Sequence, residues 1–138
     1  MPGTTRGRPV AALRQVVSAM LLVVGLIHLL PLPGVLGGER LAALYGLTLA
    51  DPNLEILLRH RAVLFGLLGV FLVVAAFRRA YQWSALVAGV VSVVSFLGLA
   101  WSVAGYNAQV GRVVTADVVA LACLVVGLAA HAYASRVR

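Results

Sequence analysis

The chain has 138 residues, of which 62% are hydrophobic, and a mean hydropathy of +1.04; soluble domains hold roughly 45–50% apolar residues, so a water-soluble enzyme or binding domain is excluded. A membrane-crossing helix takes about 20 apolar residues plus a connection, so four spans nearly exhaust the length and residues 1–138 read as one integral membrane domain. The net charge of +7 rests on 11 basic residues, all arginine, and the single Cys123 excludes an intrachain disulfide.

Residues 1–8 are rich in Gly, Pro and Thr and read as a mobile tail. Residues 11–30 are almost continuously apolar until PLPG at 31–34 stops the helix. No small-x-small cleavage site follows, so this first span reads as an uncleaved anchor. Residues 38–50 are too short and too interrupted by Gly46 to cross a bilayer, and the segment is expected along the membrane surface. Asp51 followed by Pro52 predicts an N-cap with proline at the first helical position, where its missing N–H is harmless. The second span then covers 52–77, ended by Arg78 and Arg79. Residues 84–106 make the third span, 107–112 a tight loop and 113–134 the fourth span. The result is an all-α membrane protein: a four-transmembrane-helix bundle with a short interfacial helix between spans 1 and 2.

Small residues predict how the bundle packs. Ala85, Ala88, Gly89, Ser92 and Ser95 form a stripe at helical spacing, continued by Gly98, Ser102 and Gly105, and Ala116, Ala120, Gly127 and Ala130 do the same on the fourth span. These faces are expected to meet each other or to serve a homodimer. Leu97 lies off the stripe and is expected to face lipid. Trp83 and Trp101 are 18 residues apart, roughly 27 Å along a helix, which suits the two interfacial belts.

The arginines orient the bundle. Arg6, Arg8, Arg14, Arg78, Arg79, Arg136 and Arg138 fall on one side of the four spans, and an excess of basic residues marks the cytoplasmic side. The other side holds Arg40, Arg59, Arg61 and Arg112 with all the acids, Glu39, Asp51, Glu55 and Asp117. This partition accounts for the net charge without nucleic acid as a partner. The partners implied are the lipid bilayer and a further membrane protein or second copy.

The candidate site lies near the outer ends of the spans. Asp117 is flanked by VVTA and VVAL, so its carboxylate needs a cation or donor from another helix. Arg59 and Arg61 lie at similar depth and can offer bidentate geometry. Alternatively, both arginines snorkel to the headgroups. Glu55 precedes Arg59 by four residues, the favourable order for a pair within one helix. His28, His60 and Arg112 complete the set of candidate ligand-binding residues. His28 and His60 stand on different spans and could hold a haem b, or either could hydrogen-bond a quinone carbonyl and carry its proton. Each could equally be satisfied by a backbone carbonyl. No HExxH, CxxC, GxSxG, P-loop or dinucleotide fingerprint occurs, so no motif assigns a metal, a cofactor or a catalytic residue.

The segments HLLPLPG at 28–34, RLAALYG at 40–46, DPNLEILLRHRAVLFGLLG at 51–69 and GRVVTADVVAL at 111–121 resemble a family of small bacterial four-helix membrane proteins without an established activity, itself similar to the DoxX-like group. The resemblance covers essentially the whole chain. Through some DoxX-like relatives it implies a quinone-linked oxidoreductase component. Some family members carry the label phosphopantetheine adenylyltransferase, but the soluble enzymes of that name need an HxGH-type motif on an α/β sheet, and this chain has neither. The residues themselves favour a binding or accessory subunit whose outward-facing pocket takes an anionic, lipid-like ligand or a membrane partner.

Overall fold

The computed structural model describes residues 7–137. Its helices are α1 (Gly7–Leu29), α2 (Gly38–Tyr45), α3 (Pro52–Phe77), α4 (Arg79–Val103) and α5 (Ala108–Arg136), with a 3-10 turn over Leu32–Leu36. Four of them, all but α2, are long and apolar enough to cross a membrane. The all-α, four-span architecture expected from hydropathy is therefore present, and no strand occurs among the described residues.

Helix ends depart from the expected spans because caps set them, whereas hydropathy marks only the apolar stretch. The second span begins as expected: the Asp51 carboxylate accepts from the Asn53 amide at 2.9 Å, with Pro52 in the first turn. The third begins at Arg79 rather than 84, since only Arg78, in an extended conformation, separates it from α3. The fourth begins at Ala108 rather than 113, because the Asn107 side chain accepts from the Val110 amide at 2.9 Å. The interfacial helix stops at Tyr45 rather than 50. Gly46 follows at φ 62°, the left-handed position that commonly closes a helix. The expected tail at 1–8 lies mostly outside the described residues; Gly7 and Arg8 open α1.

In cross-section α1 packs most extensively on α5 and α3, and α4 packs on the same two, while α1 and α4 touch little. The four spans thus stand at the corners of a square. One end of the bundle gathers the beginning of α1, the α3–α4 break and the end of α5; Arg14, Arg79, Gln82 and His131 line a common cleft there. At the same end Ser18 donates to the Ala76 carbonyl at 2.6 Å. The opposite end carries the 3-10 turn, α2 and the α4–α5 connection.

Helices α1 and α3 approach each other closely at two glycines. A Cβ at Gly25 would stand 2.8 Å from a Val73 methyl and 3.1 Å from the Gly69 carbonyl, and a Cβ at Gly69 would stand 2.8 Å from Leu29 and 3.0 Å from the Gly25 carbonyl. The expected α4–α5 seam forms only in part. Gly89 lies against Leu124 and Gly127 against Leu86, so each small residue receives a leucine of the facing helix. Ser95, Gly98, Ser102 and Gly105 are exposed, and no neighbour lies within 4 Å of a Cβ built at Gly98 or Gly105. Leu97 corrects the lipid-facing expectation: it is 3% exposed and belongs to the core with Val17, Leu21, Val24, Leu72, Leu86, Val93 and Leu124. Trp83 and Trp101 are exposed near opposite ends of α4, as the belt reading expects.

These contacts separate two glycines of the same composition. Gly69→Leu should lower stability by about 1–3 kcal/mol or more, because the side chain meets backbone that cannot retreat, whereas Gly98→Leu should stay within about 0.5 kcal/mol. Unfolding of both variants in a mild detergent tests this; equal losses would remove the α1–α3 crossing as the tight point.

Candidate functional site

At the α2 end a cavity of about 470 Å³ opens between α1, α2, α3 and α5, a size ordinary for a ligand pocket. Ile27, Leu30 and Phe65 give it apolar walls, and Leu44 of α2 sits at its rim. Three arginines from three helices, Arg40, Arg61 and Arg112, line it together with Asp117, Tyr45 and Gln109.

Helix α2 covers this space because several contacts hold it down. Leu41 and Tyr45, one turn apart on the same face, are buried against Ala62 of α3. Leu41 also fills the space that a side chain at position 34 would need. Asn107 ties the end of α2 to the start of α5: its side-chain oxygen caps α5, while its amide group donates to the carbonyls of Tyr45 and Gly46 at 2.9 and 3.1 Å. One side chain thus satisfies orphaned groups at two helix ends.

Arg61 is held by aromatic faces. Its guanidinium carbon lies 5.4 Å from the Tyr45 ring centre, 4.8 Å from Phe65 and 5.2 Å from Phe96, so rings from α2, α3 and α4 surround one cation. Guanidinium is weakly hydrated and stacks well on such faces, so this is a tolerable environment for a charge that cannot be lost. Burial pushes the Tyr45 phenol above the usual tyrosine range; Arg61 opposes the shift and Asp117 adds to it. The phenol therefore remains a proton donor at neutral pH.

The expected ion pair between Asp117 and Arg59 or Arg61 is corrected. Among the described residues no cation comes within 4 Å of Asp117. Arg61 interacts with it electrostatically across the cavity while its guanidinium rests on the rings. Arg59 does pair with Glu55, at 3.3 Å, and donates to the Val35 carbonyl through Nε at 3.1 Å and through a terminal nitrogen at 2.9 Å. It pins the 3-10 turn to α3 instead of entering the cavity. The exposed Glu55–Arg59 pair itself adds little stability.

The structure also separates the histidines. His60 is exposed and does not line the cavity. His28 is 1% exposed, with Nδ1 2.9 Å from the Val24 carbonyl and Nε2 3.2 Å from the Ser92 hydroxyl. A carbonyl can only accept, so Nδ1 donates and Nε2 accepts from Ser92. The ring stacks on Phe65 with centres 5.3 Å apart, and Phe65 in turn lines the cavity. A quinone carbonyl at His28 would have to displace these partners. Among the described residues no group of three metal-ligating side chains occurs.

Of the six candidate ligand-binding residues, Arg61, Arg112 and Asp117 meet at the cavity, while Arg59, His60 and His28 do not line it. Arg40, Tyr45, Gln109 and Phe65 were not among them. Leu41 and Tyr45 stand one turn apart on α2, but nothing local to α2 shows which residues it covers. No family model, curated protein or solved structure matches the chain.

His28 yields a stability prediction. Ser92→Ala leaves a buried ring nitrogen without its donor and should destabilise the protein by about 1–3 kcal/mol. Ser95→Ala should be nearly silent, since that hydroxyl donates only to Ser92 of its own helix. Thermal unfolding in detergent compares them, and a silent Ser92→Ala would mean the contact carries no weight.

Proposed function

We propose that the protein is a non-enzymatic binding or accessory subunit of the bacterial inner membrane that receives an anionic amphiphile in the cavity beneath α2. The observation that carries this reading is the convergence of Arg40, Arg61 and Arg112 on an otherwise largely apolar cavity containing one acid, Asp117. Three arginines lining one cavity with a single carboxylate leave positive charge that a phosphate or carboxylate head would offset, and arginine suits both anions because its planar donors can bind two oxygens at once. The apolar walls suit the body of such a molecule. Leu30, 65% exposed at the rim, gives that body a greasy edge toward the bilayer. The basic end of the bundle, with Arg14, Arg78, Arg79 and Arg136, supports a cytoplasmic position for both termini. The cavity then opens at the outer leaflet.

Protein purified in a nonionic detergent should retain an anionic amphiphile detectable by native mass spectrometry. The Arg40→Ala/Arg112→Ala variant, whose changes fall on exposed side chains, should lose it and remain folded. Retention equal to that of the unmodified protein, or no anionic amphiphile on either, would overturn the reading. A reporter fused after Arg138 and active only in the periplasm would contradict the orientation.

A further inference from the structure

Asp117 is the part of the cavity that an anionic ligand alone leaves unexplained. Its side chain is 4% exposed, and among the described residues it makes no hydrogen bond and no ion pair within 4 Å. No fully sealed side-chain oxygen or nitrogen among the described residues lacks a partner, so the carboxylate oxygens are not closed off in protein; they open on the cavity that Asp117 lines. A carboxylate buried to this degree requires a donor, and the direction in which it is open is the ligand's.

The cavity has two levels. Arg112 precedes Asp117 by five residues on α5, so its backbone stands about 7.5 Å nearer the outer end, and Arg40 belongs to the covering helix α2. Arg61 and Asp117 are each nine residues past the first residue of their helices, α3 and α5, and form the deeper level, beside the apolar Ile27, Phe65 and Ala116. An anion attracted by Arg40 and Arg112 therefore has Asp117 below it, on the side where its chain must lie. A cationic donor at that point would be repelled by three guanidinium groups. A hydroxyl supplies the proton without the charge.

Resting on the reading of the cavity as an anionic-amphiphile site, we infer that its ligand carries a hydroxyl between its anion and its chain, and that Asp117 accepts the hydrogen bond from that hydroxyl. Two sources share this chemistry: a 3-hydroxy fatty acid, with a carboxylate on the arginines, and a lysophospholipid, with a phosphate there and a free glycerol hydroxyl beneath it. Asp117 is then the residue that selects hydroxylated chains, and the upper arginines hold any anionic head.

Dissociation constants measured in nonionic detergent test this with two matched pairs: 3-hydroxyhexadecanoate against hexadecanoate, and 1-palmitoyl lysophosphatidate against its 2-deoxy analogue. In at least one pair the hydroxylated probe should bind about tenfold tighter or more, the worth of one hydrogen bond to a charged acceptor, and the pair that shows it identifies the anion. Asp117→Asn, whose amide oxygen can still accept but carries no charge, should reduce that ratio to about threefold or less. Should that variant not fold, 3-methoxyhexadecanoate or the 2-methoxy lysophosphatidate, which cannot donate, should bind no tighter than the plain probe. Equal binding within both pairs would overturn the role of Asp117 while leaving the anionic site intact. An undiminished preference in Asp117→Asn, or a preference that persists with the methoxy probe, would also overturn it. Failure of all four probes to bind would instead remove the anionic site on which the inference rests.

Discussion

Where α1 crosses α3, the space beside Gly25 is taken by Val73 and the Gly69 carbonyl, and the space beside Gly69 by Leu29 and the Gly25 carbonyl. Lipid tails are as apolar as leucine, so helices in a bilayer gain little by hiding apolar surface from each other, and close backbone approach has to hold them together. The crossing supplies that approach. Toward the α2 end, Leu32 fills the space at Gly66, so the 3-10 turn is laid against α3. Arg59 reinforces this by holding the Val35 carbonyl. From that fixed turn the chain enters α2, and the position of α2 decides whether there is a cavity at all.

The cavity in turn depends on keeping Arg61 apart from Asp117. A direct pair would satisfy both groups and leave only the exposed Arg40 and Arg112 to attract a ligand. Tyr45, Phe65 and Phe96 hold the guanidinium instead. Its charge is felt by Asp117 and Tyr45, yet the carboxylate remains open to the cavity. The polar groups are thus left facing open space rather than one another, and the proposed binding site rests on that arrangement.

Much of this architecture is legible in the sequence. Four apolar stretches and the Asp51–Pro52 cap place the spans, because hydropathy and capping are local properties. The small-residue stripe on α4 identifies Gly89 as a packing position. It misplaces Leu97, however, because small residues on one face do not reveal which other residues of the same helix turn toward α3 and α5. Gly25 and Gly69 carry no marking as a pair, since only their crossing makes them one. At the site, Asp117 and Arg61 stand out as charges within apolar runs. Arg40 and Tyr45 do not, because they reach the cavity through the fold-back of α2, which Asn107 secures from 62 residues away. His28 looked like a ligand-facing group for the opposite reason: its partner Ser92 lies on another helix, and no local pattern joins them.

Whether the cavity is occupied can be seen directly by determining the structure of the protein in a bilayer of its native lipids. Elongated density should enter past Leu30, with a compact head against Arg40 and Arg112 and a contact to Asp117, while Arg61 stays among its three rings. A cavity holding only water, or one closed by Arg61 leaving the rings to pair with Asp117, would contradict the assignment of this end of the bundle as a ligand site.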